Sequence, residues 1–386
     1  MKNFEFYNPT RIIFGKGTIA QLEKQIPKAA TILMCYGGGS IERNGVYDQV
    51  MVALTAWEVH EFSGIEANPD YDTLLKAIVL GREKGVNFIL AVGGGSVIDG
   101  AKLVAAGIPH GDGEVWDIVT MDTKVNLGEA LPLGTVLTLP ATGTEMNGNS
   151  VISRRATQEK LAWSSEAVFP EFSILDPTTT YSLPSNQVRN GIVDAYVHVM
   201  EQYATYPVGA KLQDRQAEAI LLTLNEIGEK ALETPIDYET RANLMWTATN
   251  ALNKLICQGV PQDWATHAIG HELTAFYGLD HAESLAVVMP HLLWHQRQKK
   301  ADKLIQYAQR VWGLTGDGDG VICDALNKIK VFFNRIETPT KLSDYQIDAQ
   351  EAAQRVQARF ESRGTMLGEH HDITPDAVAT ILRMSQ

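Results

Sequence analysis

The sequence has few cysteines, few basic residues and no long apolar segment. Its three cysteines lie far apart without a CxxC pair, which is typical of reduced thiols in a cytoplasmic protein. Apolar runs stay shorter than the roughly eighteen residues of a membrane helix, and the polar N-terminus is unlike a signal peptide. The formal net charge of -13 over 386 residues disfavours nucleic acid and anionic membranes. We therefore expect a cytoplasmic protein with neither of these as a partner.

The pattern of apolar residues changes near Pro184, which predicts two domains. Before it, short apolar runs that stop at glycine alternate with helical segments, as in a parallel α/β sheet. The predicted strands are Thr31–Tyr36, Phe88–Val92, Leu133–Leu139 and Phe172–Leu175. After it, apolar residues recur with the helical period, and the predicted helices are Gln187–Tyr203, Ala210–Glu229, Asp237–Cys257, Asp263–Phe276, Ser284–Lys299 and Ala301–Trp312. We expect an α/β domain over residues 1–184 and an all-α domain over residues 185–386.

The N-terminal segment Phe4–Gly17 is aromatic and β-branched, and it ends in a Gly-Lys-Gly turn. This composition favours a hairpin or an edge strand. Because an edge strand exposes unpaired backbone groups, the segment is a candidate for pairing with another subunit.

Two loops with phosphate-binding character follow predicted strands. Gly93-Gly94-Gly95-Ser96 ends a strand and opens a helix, and helix N-termini bind anions through free backbone N–H groups. Its spacing is not GxGxxG, so a plain strand-to-helix turn is an alternative. The second loop, Leu139–Glu145, carries threonine hydroxyls that can bind phosphate or ribose. Two such loops at strand ends would converge on one crevice of the sheet.

The turn Gly37–Ser40 bears on the choice of dinucleotide. NAD-specific folds place an acidic residue at a strand end to bind the ribose 2′-hydroxyl, and this turn has none. Its backbone N–H groups, the Ser40 hydroxyl and Arg43 can donate to a 2′-phosphate, whereas Glu42 is the nearest acid. The turn predicts NADPH as cofactor, with a plain glycine turn as the alternative.

Two pairs of residues spaced i, i+4 predict a metal centre in the helical half. Asp194 with His198 and His267 with His271 each share one face of a helix, and His281 follows closely. Apolar neighbours predict that the Asp194 helix is buried, and buried charged groups are paired or bind a metal. One carboxylate and several imidazoles suit zinc or iron better than calcium or magnesium. A surface ion pair and ordinary core histidines are the alternatives.

Together these motifs resemble the iron-containing (group III) alcohol dehydrogenases over the whole chain. The matching features are Phe14–Gly17, Gly93–Ser96 with Asp99, Thr142–Glu145, Asp176–Pro177, Gly191–Asp194 with His198 and Glu201, and His267, His271 and His281. The turn Tyr36–Ser40 and the run Gly259–His267 are similar to the NADPH-dependent aldehyde reductases of the butanol-dehydrogenase-like branch. The resemblance implies a dehydroquinate synthase-like fold with the active site in a cleft between the domains.

The resemblance also implies roles for individual residues. The metal ligands would be Asp194, His198, His267 and His281, and His271 would be a catalytic proton-relay group. The dinucleotide would contact Gly38, Ser40, Gly94, Gly95, Ser96, Asp99, Thr138, Thr142, Asn147 and Lys160. The chain departs from the common family pattern at Arg189, at Ala282 and at Met146–Asn147, which leaves the pocket shape open.

The activity implied is reversible hydride transfer between NADPH and short-chain aldehydes or primary alcohols, by a homodimer with one zinc or iron ion per site. The alternatives are an NAD-dependent polyol dehydrogenase of the glycerol type, a dehydroquinate synthase-like lyase, and a non-enzymatic metal-binding protein. A lyase of that kind needs several basic residues for its substrate, and the expected cleft has few. A metal-binding protein would not need two phosphate-binding loops.

Overall fold

A computed structural model of the protein describes residues 1–111, 113–120 and 129–386. The chain packs into two compact units. The α/β unit comprises Tyr7–Pro184 and Ile236–Thr249, and the helical unit comprises Met1–Phe6, Ser185–Pro235 and Asn250–Gln386. A single boundary after residue 184 would place residues 1–6 in the α/β unit and residues 236–249 in the helical unit. The structure places each segment in the other unit. The functional division into 1–184 and 185–386 stays a proposal.

The α/β unit is built on a six-stranded parallel sheet. Its strands are β1 (Arg11–Phe14), β2 (Thr31–Tyr36), β3 (Glu58–Phe62), β4 (Phe88–Gly94), β5 (Leu133–Leu139) and, after the antiparallel hairpin of β6 (Asn149–Arg154) and β7 (Glu159–Ser164), β8 (Phe172–Leu175). The strand order is β1-β8-β5-β4-β2-β3, and every neighbouring pair is parallel. The predicted parallel α/β sheet is confirmed, whereas β3 and the β6–β7 hairpin were not anticipated.

Helices of the α/β unit cover both faces of this sheet. They are α1 (Leu22–Gln25), α2 (Ser40–Arg43), α3 (Val46–Ala53), α4 (Tyr71–Glu83), α5 (Gly95–Gly107) and α6 (Trp116–Thr120). Successive residues of β2 point to opposite faces, so Leu33 packs into the core with α4 and α5, while Ile32 packs into the core with α3. Because both faces are covered, the strands are apolar throughout rather than alternating.

The regular secondary structure of the described residues from Ser185 onward is helical, apart from one isolated β-bridge between Leu367 and Ile373. The helices are α7 (Ser185–Tyr203), α8 (Lys211–Ile227), α9 (Tyr238–Ala251), α10 (Ala265–Tyr277), α11 (His281–His295), α12 (Ala301–Trp312), α13 (Gly318–Arg335), α14 (Ala349–Arg363) and α15 (Pro375–Met384). The predicted all-helical second half is confirmed. Within the described ranges, no helix is both long and apolar enough to cross a membrane.

Helix α9 ends at Ala251, six residues before the predicted end at Cys257. The side chain of Asn253 accepts a hydrogen bond from the backbone N–H of Leu255 (3.1 Å), which forms a local turn that competes with the helix. Lys254 then adopts a left-handed backbone conformation with φ of 69°. The apolar period therefore continues past the point at which the backbone leaves the helix.

The N-terminal segment does not form the predicted hairpin, and only Arg11–Phe14 of Phe4–Gly17 is a strand. Pro9 has no backbone N–H to donate, and the side chain of Asn8 accepts from the backbone N–H of Thr10 (3.2 Å) in a local turn. Strand β1 pairs in parallel with β8 of its own chain. Of the two predicted possibilities, a hairpin and an edge strand, the edge strand is correct.

Candidate metal centre and cofactor-binding loops

Helix α7 carries two of the candidate metal ligands on one face. Asp194 and His198 lie one turn apart and are almost fully buried, with 3% and 4% exposure. His198 Nε2 lies 3.5 Å from Asp194 Oδ1. Burial lowers the pKa of His198 to about 4 despite the nearby carboxylate, because a charged imidazole is poorly solvated there. His198 is therefore neutral near pH 7 and retains a nitrogen lone pair for a metal.

Helices α10 and α11 bring two more imidazoles to the same carboxylate oxygen. His267 lies in the first turn of α10, and His281 is the first residue of α11. Their Nε2 atoms lie 3.7 Å and 3.6 Å from Asp194 Oδ1. The two helices approach closely at Gly270, where a Cβ atom would lie only 2.8 Å from Ser284 Oγ. Glycine lets the two helices approach closely at this crossing, because a larger residue would press on Ser284 and Leu285.

These separations suit a shared ion better than direct hydrogen bonds. Nitrogen–oxygen hydrogen bonds are about 2.7–3.2 Å long. With metal–ligand bonds of about 2.1 Å, two ligand atoms of a tetrahedral zinc site lie about 3.4 Å apart. Among the described residues, the ligand atoms of Asp194, His267 and His281 all lie within 4.8 Å of one another. His198 lies outside this mutually close group, but its Nε2 is 3.5 Å from Asp194 Oδ1, so it joins these three residues as a candidate ligand of one divalent ion.

The buried state of His267 supports this interpretation. Its Nδ1 contacts Glu201 Oε2, while its Nε2 is buried and makes no hydrogen bond within the described part of the chain. Burial disfavours protonation of His267, but Glu201 and Asp194 outweigh this effect and raise its pKa to about 9. An ion bound at Nε2 must therefore displace a proton.

His271 lies one turn beyond His267 and outside the group of mutually close ligand atoms. Its ring centre is 6.2 Å from that of His267 and 5.3 Å from that of His281. The side chain is half-buried at the edge of the histidine cluster. It is thus near the candidate metal centre without being part of the tightest ligand group.

Two departures from the common family pattern also lie in the helical unit. Arg189 forms an ion pair with Glu337 at 2.9 Å, so its charge has a partner on the C-terminal side of α13. Ala282 is buried as the second residue of α11, next to the candidate ligand His281. Neither departure removes a candidate ligand.

The predicted cofactor loops meet at one edge of the parallel sheet. Strands β5, β4 and β2 are neighbours, so the loops at their carboxyl ends lie side by side. The chain runs outward from β2 to β3 and returns to β4 on the other side of β2. This reversal makes the space beyond β2 and β4 the switch point at which open α/β sheets bind ligands.

The glycines of the β4 loop allow it to contact the β5 loop. A Cβ atom at Gly94 would lie 2.9 Å from Leu139 Cβ, and one at Gly95 would lie 2.6 Å from Thr142 Oγ1. The expected convergence of the two loops is therefore seen in the structure. Ser96 lies in the first turn of α5, where its Oγ accepts from the backbone N–H of Asn68 (3.2 Å).

The turn after β2 has room for a ligand, but an acidic side chain lies closer to it than expected. Gly38 has no heavy atom within 4 Å of a Cβ position, and Ser40 is exposed at the start of α2. Gly39 is left-handed, with φ of 81°. A Cβ atom there would lie 3.2 Å from Glu42 Oε2 and 3.6 Å from an Arg43 nitrogen. The turn thus presents one acidic and one basic group together.

Lys102 organises the loop that follows β5, a role that the sequence analysis missed. Its side chain is fully buried, and Nζ donates to the carbonyl oxygens of Thr144 (2.7 Å), Asn147 (2.8 Å) and Asn149 (2.7 Å). Buried carbonyl groups need hydrogen-bond donors, and here a single ammonium group donates to three carbonyl oxygens. The signal in the sequence was a lysine between Ala101 and Leu103 in a helix that otherwise carries only one charged residue, Asp99.

Two of the predicted cofactor residues serve the same loop. Asp99 accepts from Thr144 Oγ1 (2.6 Å) and from the backbone N–H of Val151 (2.9 Å). The Asn147 side chain donates to the Gly143 carbonyl (2.9 Å) and accepts from a backbone N–H. Both side chains therefore hold the loop in place. The remaining two, Thr138 on β5 and Lys160 on β7, are buried.

The comparisons with known proteins assign the family. Residues 9–177 match the model described as iron-containing alcohol dehydrogenase, and residues 189–386 match the model of the C-terminal part of the Fe-containing alcohol dehydrogenase family. The chain belongs to the iron-containing alcohol dehydrogenase family. The resemblance inferred from the motifs is confirmed, and with it the expectation that the protein is an oxidoreductase.

Individual relatives are similar over nearly the whole chain. The NADPH-dependent aldehyde reductase YqhD of Escherichia coli K12 is 53% identical over 378 residues, which cover 97% of each chain. The probable NADH-dependent butanol dehydrogenase 1 of Bacillus subtilis 168 is 39% identical over 100% of both chains. The crystal structure of Escherichia coli K-12 YqhD superposes with a TM-score of 0.97 at 51% identity, covering 100% of this chain and 99% of that one. These similarities favour the alcohol dehydrogenase over the dehydroquinate synthase-like alternative.

Replacing Lys102 tests its role in the β5 loop. Lys102→Met should lower the free energy of unfolding by about 2–5 kcal/mol, because buried carbonyl groups lose their donor and Asp99 loses a nearby positive charge. Lys76→Met is the matched control, since Lys76 is exposed on α4, and it should change stability by less than about 0.5 kcal/mol. Urea unfolding followed by circular dichroism measures both. Equal midpoints for the two variants would show that Lys102 does not stabilise the loop.

Proposed function

We propose that the protein is a metal-dependent reductase that transfers a hydride from NADPH to short-chain aldehydes, reversibly with primary alcohols. The observation that carries the proposal is the approach of three imidazole Nε2 atoms to one Asp194 oxygen, at 3.5–3.7 Å. It occurs in a chain that is 53% identical to an enzyme named an NADPH-dependent aldehyde reductase.

We assign one zinc or iron ion to Asp194, His198, His267 and His281. The set offers one carboxylate and three imidazoles, a donor chemistry that suits either metal. When bound, such an ion would supply Lewis acidity toward the carbonyl oxygen of an aldehyde. Because the four ligands contribute only one negative charge, a divalent ion bound here would keep a net positive charge. The ligand set thus preserves the electrostatic stabilisation that a developing alkoxide needs.

His271 is the proposed proton donor in aldehyde reduction. Hydride addition to the carbonyl carbon leaves a negative charge on oxygen, and one proton completes the alcohol. An imidazole is suited to that step because its ordinary pKa is near 6.5. His271 lies beside His281, with 5.3 Å between ring centres, and it belongs to the same helix as His267. In alcohol oxidation the same nitrogen would accept the proton.

NADP(H) is assigned to the loops at the switch point of the sheet. Gly94, Gly95 and Ser96 lie at the start of α5, where free backbone N–H groups favour a pyrophosphate. The neighbouring loops are lined or supported by Thr138, Thr142, Asn147 and Lys160. Asp99 supports these loops from α5. Gly38, Ser40 and Arg43 are the proposed partners of the 2′-phosphate. The relatives' names include both NADPH-dependent and NADH-dependent enzymes, so this preference requires its own test.

A homodimer and a cytoplasmic location complete the proposal. Strand β1 is an outer strand of the sheet, and an edge strand can pair with another chain. Nearby in sequence, Phe4, Phe6 and Tyr7 are 50%, 44% and 72% exposed, and a partner subunit would cover such side chains. The cytoplasmic location rests on the three unpaired cysteines, and cell fractionation checks it.

The metal assignment predicts different outcomes for two histidines on one helix. His267→Ala should lose bound metal and activity together, because it removes a ligand. His271→Ala should keep the metal while turnover falls by about 10²–10⁴-fold, as expected for loss of a proton-transfer group. Elemental analysis and steady-state rates with butanal measure the two effects. If His271→Ala loses metal as readily as His267→Ala, the two roles are wrongly assigned.

The cofactor assignment predicts at least about a tenfold preference for NADPH over NADH in kcat/KM, equal to about 1.4 kcal/mol. Gly39→Asp should erase or reverse this preference by adding a negative charge where the 2′-phosphate binds. Because Gly39 is left-handed, the matched control is Gly39→Asn, which imposes a similar backbone strain without the charge. Should Gly39→Asp and Gly39→Asn discriminate between the cofactors equally, this turn does not recognise the 2′-phosphate.

The dimer proposal predicts a mass of about twice 42.4 kDa in light scattering at micromolar concentration. Tyr7→Asp should shift the protein toward monomer if the exposed N-terminal aromatics contact the partner, because a charge at an apolar interface is costly. Val52→Asp is the control, since Val52 is equally exposed (72%) on α3. A monomer mass for the fully active wild type would refute the proposal.

A further inference from the structure

The start of α10 is capped by a carboxylate from another helix. The first three N–H groups of a helix lack partners within the helix, and the residue before α10, Trp264, has no side-chain acceptor for them. Glu201 Oε1, on α7, accepts from the backbone N–H groups of Thr266 (2.6 Å) and His267 (3.3 Å). Asp263 Oδ1 accepts from the N–H of Ala265 (2.9 Å). Two buried carboxylates thus satisfy these donors and interact favourably with the helix dipole.

The second oxygen of Glu201 contacts the side chain of His267. Glu201 Oε2 lies against His267 Nδ1. An ionised carboxylate only accepts hydrogen bonds, so Nδ1 must carry a hydrogen. A neutral imidazole with its hydrogen on Nδ1 has its lone pair on Nε2. Nε2 is the atom that faces Asp194 Oδ1 at 3.7 Å.

A buried charge network keeps Glu201 in this position. The Glu201 carbonyl accepts from the backbone N–H of Asp263 (2.8 Å), which joins the end of α7 to the start of α10. Lys300 Nζ lies 2.9 Å from Asp263 Oδ2 and 2.6 Å from Glu369 Oε2, and it donates to the Ala204 carbonyl (2.8 Å). Lys300 is only 3% exposed, so these contacts are sheltered from water. The main chain of Glu201 is therefore bonded to a residue that this buried network holds in place.

We propose that Glu201 is a positioning residue of the metal centre, which holds His267 in the tautomer that presents Nε2 to the metal while it caps α10. This inference rests on the proposed metal assignment. A carboxylate that receives the second ring N–H of a ligand histidine fixes the orientation of the ring and increases its basicity. Loss of such a partner typically weakens metal binding about 10–100-fold.

Glu201→Gln separates capping from tautomer control. In the variant, only the glutamine oxygen can accept the hydrogen bonds that the backbone N–H groups of Thr266 and His267 donate. The glutamine NH₂ group is then placed against His267 Nδ1. That nitrogen must then accept, so the ring hydrogen moves to Nε2 and blocks the ligand atom. The cap survives, and the unfolding temperature of the metal-free variant, which loses the negative charge beside His267, shows whether the protein stays folded during the metal titration. Glu218→Gln is the control, because Glu218 is also a buried helical glutamate, paired with Arg310 (3.0 Å).

The experiment measures the Zn²⁺ dissociation constant by competition with a chelating dye, with the metal-free unfolding temperature as a second readout. We expect the constant to rise about 10–100-fold in Glu201→Gln and to stay unchanged in Glu218→Gln. Wild-type affinity in Glu201→Gln would overturn the inference and leave the metal assignment intact. A wild type that binds no Zn²⁺ would overturn both.

A second measurement uses the wild type alone. In zinc-loaded protein labelled with ¹⁵N-histidine, NMR should show a protonated Nδ1 and a metal-bound Nε2 on the His267 ring, which is assigned through its correlations with the backbone. A His267 ring with a metal-bound or unprotonated Nδ1 would overturn the inference.

Discussion

The buried carboxylate of Asp194 is the feature on which the helical unit depends. A charged group at 3% exposure is costly unless charged groups or a metal ion surround it. Three imidazole nitrogens approach its Oδ1 at 3.5–3.7 Å, each from a different position in the chain. Around Asp194, α7 is buried from Gly191 to Tyr203, and α11 packs closely against α10 at Gly270. The packing of the unit and the chemistry of the site are therefore one constraint.

The α/β unit contains a comparable arrangement with the opposite charge. Lys102 is fully buried, and its ammonium group holds three carbonyl oxygens of the loop after β5. In the helical unit, Glu201 holds the N–H groups at the start of α10. In each case a single buried charge satisfies several backbone groups at the end of a regular element. Such anchors fix loops and helix ends that must keep a defined geometry when a ligand binds.

The sequence predicted those features that depend on local spacing. The pairs Asp194/His198 and His267/His271 follow from the helical period, and the strands Thr31–Tyr36 and Leu133–Leu139 follow from apolar runs bounded by turns. It did not reveal contacts between distant segments. Lys102 meets its partners 42–47 residues further along the chain, so its role appears only once the loop is folded.

Side-chain direction was the other limit. Glu42 was known to be near the Gly37–Ser40 turn, but only the structure brings its carboxylate to 3.2 Å from a Cβ position at Gly39. The predicted strand in the N-terminal segment was too long because the composition favours a strand there. Pro9 and the turn at Asn8 prevent a strand before Arg11. The β6–β7 hairpin was missed because its half-polar strands lack the continuous apolar runs of the central sheet.

The central claim is that one divalent ion at the Asp194 cluster makes this protein an aldehyde reductase. Its most direct test is removal of the metal with a chelator, followed by titration with Zn²⁺ or Fe²⁺ while NADPH oxidation by butanal is recorded. Metal-free protein should still bind NADPH without oxidising it, and activity should return in proportion to metal and saturate at one ion per chain. Full turnover by metal-free protein would contradict the account.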